Sequence, residues 1–236
     1  MNSEEKKIPS GYMRITVVVM IIIATLAIFL YKPYYFEGNP MKLMNIGIYY
    51  HSKDNYKDAA VAFEKALQKK STSELHTYYA NTLFHLKDYD KAYDHIKKAL
   101  ELDPKNADAI LALAEYYRVK EKDTNAIENY ELAIKYKPTA EAYFKYGRYH
   151  YNMGHTEEAY ENLTKSLDLD AEYLELYPYL AEVYTRKGLF VSAFDAYEFY
   201  FNQKLMQGIP YSFLMTKEAD EIKKKLRLLR DMAGEA

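Results

Sequence analysis

A chain of 236 residues, 49% of them apolar, is long enough for one elongated domain with an appendage and apolar enough to bury a core. Its formal net charge of −2 carries no basic signature of nucleic-acid binding. The absence of cysteine excludes disulfides, thiol catalysis, cysteine-ligated zinc and a lipid-modified cysteine.

Residues 1–14 read as a short polar tail with Lys6, Lys7 and Arg14. The stretch Ile15–Tyr31, ITVVVMIIIATLAIFLY, then runs without a charge. At about 1.5 Å per residue it reaches roughly 25 Å, slightly under a hydrocarbon core of about 30 Å. Lys32 can extend to the interface, and Tyr31, Tyr34, Tyr35 and Phe36 suit the headgroup region. Residues 15–32 are therefore expected to be a membrane anchor that meets the lipid bilayer through Ile15–Tyr31. Ile28, Phe29 and Leu30 end the run and no small-x-small cleavage site follows, so an uncleaved single-pass anchor is expected rather than a signal peptide. Three basic residues before the span, against Lys32 and Lys42 after it, favour a cytoplasmic N-terminus. In a bacterium this would put the rest of the chain in the periplasm. Residues 33–40, ending in Glu37-Gly38-Asn39-Pro40, read as a hinge.

From there one pattern recurs. An alanine precedes a bulky residue by four at Ala59/Phe63, Ala92/Ile96, Ala126/Tyr130, Ala159/Leu163 and Ala193/Tyr197, and the alanines lie 33, 34, 33 and 34 apart. Gly47, Ala80, Ala114, Gly147 and Ala181 lead these alanines by 12 residues. Tyr50, Leu83, Tyr117, His150 and Tyr184 follow three later. A module of about 34 residues that repeats in phase is a stacking unit.

These residues resemble the tetratricopeptide repeat family, whose signature runs through a small residue, an aromatic, A-x3-F and a closing proline. The resemblance implies an all-α fold: a right-handed solenoid of five helix-turn-helix repeats at about 41–74, 75–106, 107–139, 140–173 and 174–207. Small residues on the first helix would let the second approach, and Pro104 and Pro138 would stop the second helices of repeats two and three. The family's tryptophan is absent, Ser71 and Ala171 stand where proline is expected, and Tyr200 occupies a small-residue place, which predicts distortion at the end of repeat five. The 27 tyrosines are read mainly as fillers of the repeat's aromatic slots. The polar joint Lys69–Glu74 is expected to add play between repeats one and two.

Residues 208–236 read as a capping helix and tail. Gly208 and Pro210 break the chain, and a helix from about Ser212 to Met232 carries Leu214, Ala219, Ile222, Leu226 and Leu229 on one side. Lys223, Lys224, Lys225, Arg227 and Arg230 on the other side suit a solvated cap, with anionic lipid as the alternative.

No catalytic constellation stands out. The six histidines show no metal-ligand spacing, and His76, His85 and His95 share no helical face; no metal, cofactor or enzyme activity is expected. Phosphate loops, nucleophile elbows and dinucleotide fingerprints are absent. The resemblance instead implies a concave face lined by first helices, with Thr77, Asn81, Phe84 and His85 from repeat two and Leu111, Glu115 and Arg118 from repeat three. Phe144, Arg148 and Tyr151 would come from repeat four, and Glu182, Thr185 and Arg186 from repeat five. Arginine and aromatic side chains are the types that anchor interfaces. The chaperone-carboxylate clamp known in the family is not expected, because Met44 and Ile48 hold its places in repeat one.

The function expected is a membrane-anchored adaptor that binds a protein or peptide in this groove and supports assembly of a membrane or envelope complex. The alternative is a chaperone-like holder of exported or unfolded chains, like the anchored repeat subunits of cytochrome c maturation. Self-association into a homo-oligomer is a third reading. Arg148→Glu is expected to weaken binding without unfolding the chain.

Overall fold

The computed structural model describes residues 39–207, 213–214 and 216–234. The polar tail and the expected anchor lie outside the described residues, within which no helix is long and apolar enough to cross a membrane. Among the described residues there are eleven α-helices and no strand. They are α1 Pro40–His51, α2 Tyr56–Leu67, α3 Ser73–His85, α4 Tyr89–Leu102, α5 Ala107–Val119 and α6 Asp123–Tyr136. These are followed by α7 Ala140–Met153, α8 Thr156–Leu169, α9 Leu176–Arg186, α10 Phe190–Gln207 and α11 Lys217–Gly234.

The chain forms two compact units, one ending at Leu102 and the other starting at Asp103. Unit 1 holds α1–α4 and unit 2 holds α5–α11. The division falls after repeat two and not at Lys69–Glu74. That joint is bridged because the Phe63 ring on α2 lies 6.1 Å from Tyr78 and 6.4 Å from Tyr79 on α3.

Local chemistry sets the helix ends. Asn39 accepts the Met41 N–H at 2.9 Å, with Pro40 at the first helical position, so the last two residues of the expected hinge belong to α1. Thr72, Asn106 and Thr139 cap α3, α5 and α7 through side-chain oxygens. Pro138 forces Lys137 into an extended conformation and ends α6. Asp170 adopts the same conformation without a following proline, and its carboxylate accepts the Glu172 N–H at 2.9 Å instead.

The turn inside every repeat has one geometry. Asp54, Lys87, Glu121, Gly154 and Gly188 all take positive φ, between 55° and 81°. In each case the next N–H donates to a carbonyl five residues back: Asn55 to Tyr50, Asp88 to Leu83, Lys122 to Tyr117, His155 to His150 and Leu189 to Tyr184. This left-handed helix termination is free of strain only for the two glycines; the other three residues bear about 1–2 kcal/mol of steric cost apiece.

Between paired helices, each small residue faces the bulky residue 16 positions later. Phe63, Ile96, Tyr130, Leu163 and Tyr197 are 0–2% exposed. A Cβ at Gly47 would lie 2.6 Å from the Phe63 ring, and one at Gly147 would lie 2.8 Å from Leu163 Cγ and 3.1 Å from its backbone nitrogen. Within each unit the residue before a small one covers the bulky side chain of the preceding repeat. Tyr79 does this for Phe63, and Tyr146 lies 5.2 Å from the Tyr130 ring.

The end of repeat five is regular. α10 runs unbroken through Tyr200, which is buried and donates its hydroxyl to Glu218 of α11 at 2.6 Å. Phe213 and Leu214 are helical, and α11 begins at Lys217, where the Thr216 hydroxyl accepts the Ala219 N–H at 3.2 Å and caps it. Ala219, Ile222 and Leu229 of α11 pack against α10.

Gly147→Val should destabilise the protein by about 1–3 kcal/mol, because the Leu163 backbone cannot retreat. Urea denaturation of both proteins checks this, and an unchanged midpoint would contradict the packing described.

Candidate functional site

In unit 2 the residue after each small one is Glu115 on α5, Arg148 on α7 and Glu182 on α9. The first opposite pair links α5 to α7. Glu115 accepts from Arg118 Nη2 at 2.9 Å and Nε at 3.1 Å, and from Arg148 Nη2 at 3.1 Å. Its other oxygen accepts the buried Tyr130 hydroxyl. Burial would raise the Glu115 pKa, but the charges of Arg148, Lys145 and Arg118 and the Tyr130 hydrogen bond outweigh it and hold the carboxyl below its ordinary value. Burial and the neighbouring Glu115 charge push the Tyr130 hydroxyl up. Two guanidiniums on one carboxylate leave this cluster formally positive.

The strip continues through aromatic contacts. The Arg148 guanidinium lies 5.3 Å from the Phe144 centroid. Phe144 meets Tyr173 at 5.2 Å and Tyr179 at 5.5 Å, both edge-on. Tyr179 meets Tyr151 at 5.5 Å, and Arg186 stacks 4.0 Å over Tyr151 while donating to its carbonyl at 3.2 Å. Glu182 forms a second centre, accepting from the Tyr197 hydroxyl and from Lys225 of α11.

The expected groove residues thus divide. Glu115, Arg118 and Arg148 come together directly, Tyr151 pairs with Arg186, and Glu182 joins the Lys225 cluster. Leu111 and Phe144, expected on the open face, are 4% and 1% exposed and serve as core. Glu115 is also buried, at 9%, because both arginines and Tyr130 close over it. Thr185 turns its hydroxyl back onto the Ala181 carbonyl at 2.8 Å. The other four lie in unit 1, where Thr77 is also buried, at 4%, and donates to the Ser73 carbonyl at 2.9 Å. Asn81 is half-buried, Phe84 packs 5.7 Å from Tyr89, and His85 stacks 4.1 Å from Tyr56.

Tyr130, Tyr179, Tyr197 and Lys225 were not among the expected site residues. A signal for two of them exists in the sequence. The bulky slot is tyrosine only in the two repeats that place glutamate 15 residues earlier, Glu115/Tyr130 and Glu182/Tyr197; elsewhere it is Phe63, Ile96 or Leu163.

Two segments, residues 73–106 and 140–173, match the tetratricopeptide repeat family. Repeats two and four of the chain are thus similar to tetratricopeptide repeats. A TPR repeat-containing protein of Methanocaldococcus jannaschii is 28% identical over 175 residues, which is 68% of this chain and 28% of that protein. The type IV pilus assembly protein PilF of Pseudomonas aeruginosa is 35% identical over 95 residues, 40% of this chain and 36% of PilF. The chain thus spans well under half the length of either curated relative. A thermophilic TPR protein of Thermus thermophilus superposes with a TM-score of 0.64 at 20% identity, covering 80% of this chain and 98% of that one. That likeness extends the tetratricopeptide fold beyond the two matched repeats.

Tetratricopeptide repeat two also holds a histidine contact that sequence spacing hides. His76 on α3 and His95 on α4 bring their Nδ1 atoms to 2.8 Å, and the Ser71 hydroxyl lies 2.9 Å from His76 Nε2. Burial first and then the Lys98 charge lower the His76 pKa. Burial, with His76 and Lys98 behind it, lowers that of His95 to about 4. No group of three or more His, Cys, Asp or Glu suited to a metal forms among the described residues.

Folding lowers the pKa of both histidines, whereas the unfolded chain binds protons near pH 6.5. Between pH 6.5 and about 4 the unfolded state therefore carries more protons, and stability falls as pH falls through that window. Urea midpoints should drop by an equivalent of about 1–2 kcal/mol from pH 7 to 5, and His95→Gln should flatten that slope. Equal slopes would remove the pair as its source.

The geometry also revises the expected effect of Arg148→Glu. The substitution sets a carboxylate against buried Glu115 and removes one of its guanidiniums, so it should cost about 2–4 kcal/mol of stability. Thermal unfolding checks this; a wild-type midpoint would show that Arg118 alone satisfies Glu115.

Proposed function

We propose that the chain is a membrane-anchored adaptor that binds a protein or peptide along α5, α7 and α9 and supports assembly of a membrane or envelope complex. The observation that carries the binding reading is the strip of contacts from Arg118 through Arg148, Phe144 and Tyr179 to Tyr151 and Arg186. Its arginines lie on rings and carboxylates already ordered by the core, so little side-chain freedom remains to be lost on binding. Exposed Arg186 and half-buried Arg118 and Tyr151 bear the type of side chain that anchors partners. The apolar run Ile15–Tyr31 supports the anchor, and the excess of basic residues before it supports a cytoplasmic N-terminus with extracytoplasmic repeats. The similarity to PilF, a pilus assembly protein, supports the assembly role.

Arg186→Glu combined with Tyr151→Ala tests the strip without touching the Glu115 cluster. In a crosslinked pull-down from native membranes, one dominant partner should be captured by the wild type and lost from the double variant. A broad set of exported chains would favour the chaperone-like holder. A partner retained undiminished by the variant would overturn the strip as the site.

A further inference from the structure

At the C-terminal end of unit 2, helices α7, α9, α10 and α11 enclose a pocket of about 220 Å³. Tyr151, Tyr179, Tyr197 and Tyr200 contribute to its wall, and Tyr151 and Tyr179 also belong to the strip described above. Glu182, Glu218 and Glu221 line it, against Lys225 as the single cation of the lining. Three carboxylates and one ammonium leave the lining at a formal charge of −2.

The chain's own cations show how this surface treats positive charge. Lys225 Nζ donates to Glu182 and, at 2.8 Å, to the Tyr197 hydroxyl, and it sits 5.0 Å from the Tyr197 ring centroid. Arg186 stacks on Tyr151 at 4.0 Å. Aromatic faces beside carboxylates attract ammonium and guanidinium groups through the ring quadrupole and charge-assisted hydrogen bonds together. An anion would meet net negative charge here. A purely apolar guest would bury carboxylates without supplying them a donor.

We propose that this pocket receives the arginine or lysine side chain of a protein partner, which would lie over Tyr179 with its charge between Glu218 and Glu221. The assignment rests on the protein-binding reading and specifies one side chain that the partner presents. Lys225 acts as a resident cation that already neutralises the α9 side of the pocket and leaves the α11 side for the guest.

The test titrates the full chain in mild detergent with N-acetyl-arginine methylamide and follows backbone amides by NMR. N-acetyl-norleucine methylamide serves as the uncharged control. Saturable shifts should centre on α9 and α11 around Tyr179 and Glu221 with the arginine probe only. Glu221→Gln, an exposed change that leaves the core untouched, should weaken the probe at least about threefold. Lys225→Met should tighten it at least about threefold, since the resident charge is gone. Absence of saturable shifts, equal shifts with norleucine, or affinities unmoved by both variants would overturn the proposal. The probe needs no partner, so failure here is distinct from failure of the adaptor reading, which the membrane pull-down addresses.

Discussion

The structure depends on a gap one side chain deep between the two helices of each repeat. Paired helices approach closely only where one contributes a residue with little or no side chain, and the other can then insert a large one. Glycine takes the small place opposite Phe63 and Leu163, and alanine suffices opposite Ile96, Tyr130 and Tyr197. Burying each of these bulky side chains contributes about 1.5–3 kcal/mol. The same insertion fixes helix rotation. It thereby determines which residues of α5, α7 and α9 face their neighbours, before any surface residue has a say.

A slot so constrained admits new chemistry only through what its occupant ends in. Tyrosine preserves the packing of a ring and adds a buried hydroxyl, which requires an acceptor. Glu115 and Glu182 supply it, each 15 residues earlier on the facing helix. A half-buried or buried carboxylate in turn requires cations, and these come from Arg118 and Arg148 in one case and Lys225 in the other. The sequence of demands therefore runs outward from an apolar core to charged groups at the surface. The arginines of the strip are positioned by the interior, which makes them at once recognition groups and structural ones.

The repeat register could be read from residue spacing alone, because small and bulky residues recur at 33 or 34 positions and every pair meets where the spacing puts it. Helix ends at Pro104 and Pro138 were legible for the same local reason. The burial of Leu111 and Phe144 was not, since a first-helix residue can point to a face or to the next repeat, and only packing decides. The contact between His76 and His95 joins two helices across a turn, a relation that helical spacing does not express. The shared positive φ at Asp54, Lys87, Glu121, Gly154 and Gly188 was half legible. Glycine marks it in repeats four and five, while the strain borne by the other three residues leaves no compositional trace.

The basic face of α11 shows how internal demand changes the reading of a charged surface. Five lysines and arginines free on one helix face would be worth about 1 kcal/mol each near an anionic bilayer. Lys225, however, is spent on Glu182 and Tyr197, Lys223 lies 3.7 Å from Asp220, and Arg230 sits 5.6 Å from the Phe194 ring. Lys224 and Arg227 stand exposed. Part of what reads in the sequence as a face for lipid is thus turned onto the helix itself and onto repeat five. The apolar stripe of Ala219, Ile222 and Leu229 packs on α10 beside these cations. A terminal helix that closes the core with one face and completes the carboxylate and tyrosine pairs of the last repeat with another is bound by both kinds of contact. That double attachment holds Glu218, Glu221 and Lys225 in fixed places beside Tyr179.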